Sequence, residues 1–197
     1  MNIVSALPKI PIRMTVTEFF AWAPPTAEAW QLVDGEPQAM APASRAHGAI
    51  QAEMGALIRN HFAERSSPCT IVMAPGVIPR AQSETNVRIP DLAVTCSDYD
   101  EEEQALTSMV LVVEILSPGN QAETYANVWA YTTIPSVQAI LVLKTAQIGA
   151  ELLRRGKDRN WPPHPSAVES GDLNLESIGF SIPLAAAYRT TRLAPKK

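Results

Sequence analysis

Net positive charge is missing from this 197-residue chain. Lys and Arg total 16 against 20 Asp and Glu, a net charge of −4 with a pI near 5.4. No polyanion-binding signature follows from that balance, so a nucleic-acid partner would need a local basic groove or a bound cation. Cysteine is nearly absent. Cys69 and Cys96 have no CxxC spacing, lie in apolar strand-like runs, and read as buried free thiols in a reducing compartment. Long apolar runs are missing too: none approaches the ~18 residues of a membrane span. The N-terminal "MNIVSALPKIPIRM" carries Pro8 and Pro11 and no adequate apolar stretch, so it does not read as a signal peptide. There is no internal repeat and no low-complexity tract. What is left, 46% hydrophobic and 18% charged, is the composition of one soluble globular domain, cytoplasmic by default.

Proline is plentiful, 17 residues against a usual share of ~5%, and it punctuates the apolar runs. Thr15 and Glu18 have capping-box spacing and predict a short helix over 15–23, stopped by Pro24 and Pro25. Asp34-Gly35 between apolar flanks predicts a type I′ hairpin. From Ser44, apolar Ile50, Met54, Leu57, Ile58 and Phe62 recur at helical spacing. The period then changes. Two short strands are expected about Pro75-Gly76, another from near Ile89 and Pro90, and another in "MVLVVEILS". A helix of about three turns closes before Pro135, and strands follow at 137–143 and 149–155. Beyond the Pro-rich loop 161–165 a strand-like piece and a final short helix are expected. The tryptophans at 22, 30, 129 and 161 read as core residues. The sum is an α/β (α+β) layer, a mostly mixed sheet with helices packed on it. Residues 1–13 read as an N-terminal extension, 14–160 as the domain, and 161–197 as an appendage to it.

Two acids lie on expected core strands. Asp91 follows Pro90 in "RIPDLAV", and Glu114 interrupts "VLVVEIL". In the latter, Val110, Val112, Glu114 and Leu116 would share one face and Leu111, Val113 and Ile115 the other. Both faces are otherwise apolar, so the strand is covered on both sides. An ionised Glu there costs several kcal/mol, on the order of its desolvation penalty, unless it is paired. One partner is an Arg such as Arg88. The other is a divalent cation: neighbouring strands could place both carboxylates at one site, and paired carboxylates are ligands for Mg²⁺ or Mn²⁺.

"WQLVDGEP", "SRAHGAIQ", "VRIPDLAV", "VVEILSP" and "VWAYTTIPSVQAILVL" fall in the order and rough spacing of a known family. Over residues 14–155 the chain resembles the Uma-type family of putative restriction endonucleases, within the PD-(D/E)XK nuclease superfamily. The resemblance implies a restriction-endonuclease-like core, a central mixed sheet flanked by helices, and Mg²⁺-dependent cleavage of nucleic acid, DNA foremost. By analogy with restriction-like enzymes, a homodimer is compatible with it. It implies Asp91 and Glu114 as metal ligands, with the carbonyl of Ile115 completing the site. The Lys expected two residues after the acid is Leu116. The place to which this family displaces that Lys, four residues before a Tyr, is Asn127. The acid favoured before the hairpin is Gln31.

His47, in the first turn of the long helix, reads either as a packed or capping residue or as a contact to phosphate or metal-bound water. Glu123, Asn127 and Tyr131 fall on one helical face, either solvated or turned to the site, where Asn127 would hold water. Arg45, Arg59, Arg80 and Arg88 are the candidates for a local basic groove. A protein that keeps the fold but, lacking Lys, binds nucleic acid or a protein partner without cutting is the alternative function.

Overall fold

The first helix is set by Thr15, whose hydroxyl accepts from the Glu18 N–H at 3.3 Å while the Glu18 carboxylate accepts from the Thr15 N–H at 2.7 Å. This computed structural model describes residues 13–22, 28–98 and 102–194. The N-terminal extension as far as residue 12, the expected helix stop at Pro24-Pro25 and residues 99–101 of "SDYDEEEQ" (97–104), whose sequence reads as an acidic loop, lie outside the described residues. Helix α1 spans Val16–Ala21. Strands β1 (Trp30–Val33) and β2 (Glu36–Ala39) form the expected hairpin. Its turn residues Asp34 (φ 50°) and Gly35 (φ 86°) are both left-handed, as a type I′ turn requires.

Helix α2 (Arg45–Glu64) begins at Ser44, whose Oγ accepts from the His47 N–H at 3.2 Å. The central sheet then forms from β3 (Thr70–Met73), β4 (Leu92–Thr95), β5 (Met109–Leu116), β6 (Ala139–Lys144), β7 (Ala150–Arg154) and β8 (Ser166–Val168), in that order. Neighbours are antiparallel except β5 and β6, which are parallel and joined by helix α3 (Gln121–Thr132). A parallel pair needs such a crossover. Ile50, Met54, Ile58 and Phe62 of α2 pack on Leu111, Val113 and Ile115. Val128 and Tyr131 of α3 pack on Val112 and Leu116 from the other side. With a helix on each face, β5 is apolar on both, as its sequence suggested. The fold is thus α+β, a mixed six-stranded sheet between helices.

Several local expectations are corrected. Val110 does not share the face of Val112; it packs with the α2-side cluster. It is the extra residue where the β4–β5 register shifts, Val94 pairing with Leu111 and Thr95 with Met109, and such a bulge resets the alternation. The second strand after Pro75 is reduced to one bridge, Val77 to Arg88. Strand β4 starts at Leu92, not at Ile89, because Pro90 has no N–H for a ladder. Beyond the Pro-rich loop, β8 adds an unforeseen edge to the main sheet. The "strand and helix" of the C-terminus is a hairpin of β9 (Asp172–Leu175) and β10 (Phe180–Pro183) with two 3₁₀ turns, Glu176–Ile178 and Leu184–Tyr188. Leu173, Leu175, Phe180 and Leu184 enter the same apolar cluster as α2. Trp129 is not a core residue; it is 52% exposed.

The cysteines are neither buried nor free. Cys69 is half-buried, Cys96 is exposed, and the two are joined in a disulfide. Thr70 pairs with Thr95 across β3 and β4, so the residue before one and the residue after the other face each other. That juxtaposition comes from strand register and is invisible in local spacing.

Candidate active site

Glu114 is the one carboxylate of β5, 6% exposed, on the face toward α3. The Tyr131 hydroxyl donates to its Oε1 at 2.8 Å. Burial holds the Glu114 carboxyl well above the usual carboxylate range. The negative charge of Asp91 adds to the rise, and the Tyr131 hydrogen bond opposes it. The anticipated pairing with Arg88 is not made; the guanidinium is directed elsewhere.

Asp91 sits just ahead of β4, where Pro90 has ended the ladder. Its carboxylate substitutes for the missing backbone acceptor: Oδ2 accepts from the Ile115 N–H at 2.7 Å. Its Oδ1 is 2.7 Å from His47 Nε2, and its carbonyl accepts from Gln51 Nε2 at 2.8 Å. His47 and Gln51 are one helical turn apart on α2, so one helix edge holds both ends of Asp91. Within a strand a residue's N–H and C=O point to the same edge, so the Ile115 carbonyl shares the edge where Asp91 lies.

The α3 wall carries Glu123, Asn127 and Tyr131. Gln31, fully buried on β1, donates from Nε2 to Glu123 Oε1 at 2.6 Å, while its own Oε1 has no hydrogen-bond partner. Asn127 Oδ1 accepts from Arg88 Nη1 at 3.1 Å. Arg88 is 8% exposed, so it is no part of a surface groove. Burial lowers its pKa, and Tyr131, Asp34 and Glu123 oppose that shift. Arg45, Arg59 and Arg80 remain exposed. His47, Asp91, Glu114, Glu123 and Asn127 line one cleft of about 620 Å³. The structure therefore brings His47, Asp91, Glu114 and Asn127 together, with Ile115 at the same strand edge.

The profile of the Uma2 family, described as "Putative restriction endonuclease", matches residues 16–185. The chain belongs to the Uma2 family. A crystal structure described as a putative nuclease belonging to DUF820, from Anabaena variabilis, is similar at a TM-score of 0.71 and 16% identity. The match covers 89% of this chain and 97% of that one. At this identity the likeness speaks for the fold. No curated protein matches the chain.

No lysine lines this cleft among the described residues. Leu116 lies in the α3-side core at 7% exposure, and its carbonyl accepts from the Thr145 N–H at 3.0 Å. Lys144, its register partner on β6, is tied to Glu151 at 2.8 Å. Among the described residues, no group of three or more His, Cys, Asp or Glu side chains is disposed to hold a metal ion. Two carboxylates and a carbonyl nevertheless suit Mg²⁺, which is bound through one or two carboxylates together with water and substrate phosphate, not by an all-protein cage. Sequence reasoning missed Gln51 and the roles of Tyr131 and Arg88. Gln51 and Tyr131 had a usable signal, each lying four residues after a candidate on the same helix.

Proposed function

We propose that this Uma2 protein is a Mg²⁺- or Mn²⁺-dependent endonuclease hydrolysing phosphodiester bonds of nucleic acid, DNA foremost, in the cytoplasm. The observation that carries the reading is the convergence of Asp91, just ahead of β4, and Glu114, within β5, on one cleft. Each is already held by a side chain from a flanking helix, His47 or Tyr131. A buried Glu114 whose pKa is raised by burial and by the neighbouring Asp91 makes this a site suited to a divalent cation.

Asp91, Glu114 and the Ile115 carbonyl would hold the ion. Bound there, Mg²⁺ supplies charge to the phosphodiester and makes water a stronger nucleophile at neutral pH. His47 fixes the Asp91 carboxylate and leaves its second oxygen on the Ile115 N–H. Tyr131 orients Glu114. Asn127 holds water or a phosphate oxygen by hydrogen bonds, without charge. Cutting both strands of a duplex requires two such sites, which a homodimer supplies.

Plasmid nicking in Mg²⁺ or Mn²⁺ tests the reading. Loss of nicking in Asp91→Ala and in Glu114→Ala is expected; activity surviving both overturns it.

The second reading, a protein that binds without cutting, is favoured by one observation: Leu116 is committed to the core and Asn127 carries no charge. It predicts no nicking by the native chain and a gain of cation-dependent nicking in Asn127→Lys.

A further inference from the structure

Arg88 lies three residues ahead of Asp91, and its backbone is pinned to Val77 by two hydrogen bonds of 2.8 Å. Its guanidinium is buried, yet both of its hydrogen-bond partners are neutral amides. Nη1 donates to Asn127 Oδ1 at 3.1 Å and Nη2 to Asn86 Oδ1 at 2.9 Å. Among the described residues Arg88 makes no ion pair. Its Nε is buried without a partner.

A guanidinium has donors only, so it dictates how the Asn127 amide is turned. The oxygen must face Arg88. The Nδ2 group is then the polar end that Asn127 has left to offer, and Asn127 lines the cleft with Asp91 and Glu114. Asn86 keeps the other tine of the fork in place. Its Oδ1 also accepts from the Asp34 N–H at 3.1 Å, and its Nδ2 donates to Asp34 Oδ1 at 3.1 Å. Asp34 and Glu123 act on Arg88 from nearby but neither touches it, so the guanidinium keeps attraction to spare for a further anion. A phosphodiester in the cleft is such an anion.

We propose that Arg88 is a positioning residue that turns Asn127 into a hydrogen-bond donor for a phosphate oxygen, the pair replacing the lysine expected at this site. The inference rests on the nuclease reading for its substrate, a nucleic-acid phosphodiester. Arg88 brings the charge, Asn127 brings the donor, and neither suffices alone.

The test uses the full chain and three variants, Asn127→Asp, Arg88→Lys and Arg88→Met. Two readouts are taken: Mn²⁺-dependent plasmid nicking, and binding of a fluorescein-labelled DNA duplex in Ca²⁺. Asn127→Asp keeps the shape and an acceptor for Arg88 but deletes the donor. It is expected to lower kcat about 10²-fold, as loss of a transition-state donor does, with KM moved far less and with no fall in the thermal midpoint. Arg88→Lys keeps a charge but cannot grip two amides at once, and is expected to lower kcat about tenfold. Arg88→Met is expected to fall further. Duplex binding should weaken about tenfold in Asn127→Asp.

Wild-type kcat in both Asn127→Asp and Arg88→Lys would overturn the inference while leaving the nuclease reading intact. So would losses that simply track a lowered thermal midpoint. If the native chain does not nick DNA at all, the nuclease reading falls. The binding arm then decides the inference: unweakened duplex binding by Asn127→Asp overturns it, and weakened binding supports it.

Discussion

The Tyr131 hydroxyl donates to Glu114 Oε1 at 2.8 Å, so the acid in the middle of β5 has a partner from α3 independently of any cation. Tyr131 is itself fully buried, and its own pKa is raised, first by burial and then by Glu114. Tyr131→Phe removes the donor and leaves a buried carboxyl oxygen without it. The expected destabilisation is about 1–3 kcal/mol, read by urea denaturation. The same loss lets Glu114 rise further, so the acid limb of any cleavage profile should move to higher pH. An unchanged profile and an unchanged midpoint together would refute this account of the pair.

Glu114 gives a sign for pH dependence in the absence of metal. Its folded pKa is raised above the ordinary 4.5, so the folded protein holds the proton more tightly than the unfolded chain. Its contribution to stability is fully present below the unfolded value and is lost as pH rises through the folded one. Thermal midpoints measured upward from pH 4.5 in EDTA should fall more steeply for wild type than for Glu114→Gln, which cannot titrate. Added Mn²⁺ needs the ionised form, so its stabilising effect should grow with pH and be absent from Glu114→Gln. Parallel pH curves for the two proteins in EDTA would contradict the assignment.

His47→Ala should act on chemistry more than on folding. The ring touches Asp91 at 2.7 Å, while the capping bond of Ser44 is to the His47 backbone and survives the change. Activity or Mn²⁺ affinity is expected to fall about 10–100-fold, the usual effect of losing a residue that orients a ligand. Isothermal titration with Mn²⁺ and nicking assays check it; a full-affinity His47→Ala protein would return His47 to a packing role.

The Cys69–Cys96 bond closes a loop of sequence separation 27. The loop-closure relation puts its contribution at about 3.5 kcal/mol. A Cys69→Ser/Cys96→Ser protein should therefore melt roughly 7–14 °C lower, at ~2–4 °C per kcal/mol for a chain of this size. Reductant should lower wild type to the same midpoint. Mass spectrometry of the protein alkylated on extraction tells whether the bond exists in the cell. A bond found intact would place the chain in an oxidising compartment, and free thiols would support the proposed cytoplasmic one.

Helices α2 and α3, the Asp34-Gly35 hairpin and the apolar β5 were legible because period, caps and turn residues are local. Glu114 was legible because a carboxylate in a core strand is out of place; Asp91 was expected on a strand and instead sits just before one. What was hidden depends on register and on side-chain reach. Cys69 meets Cys96 only through the β3–β4 pairing. Val110 changes face only because of a bulge. Arg88 was one of two partners open to Glu114, the other a cation; the fold instead turns it to two amides.

The crossover from β5 through α3 to β6 has a consequence for assembly. Glu114 and its companions Glu123, Asn127 and Tyr131 lie within one uninterrupted stretch of chain, so that half of the cleft closes through short-range contacts. Asp91, Arg88 and His47 reach it from distant parts of the chain. Loop-closure entropy therefore predicts that the cleft is completed only when α2 and the segment before β4 dock on the β-α-β unit. Hydrogen exchange should show β5 and β6 protected before the N-terminal turn of α2 becomes so.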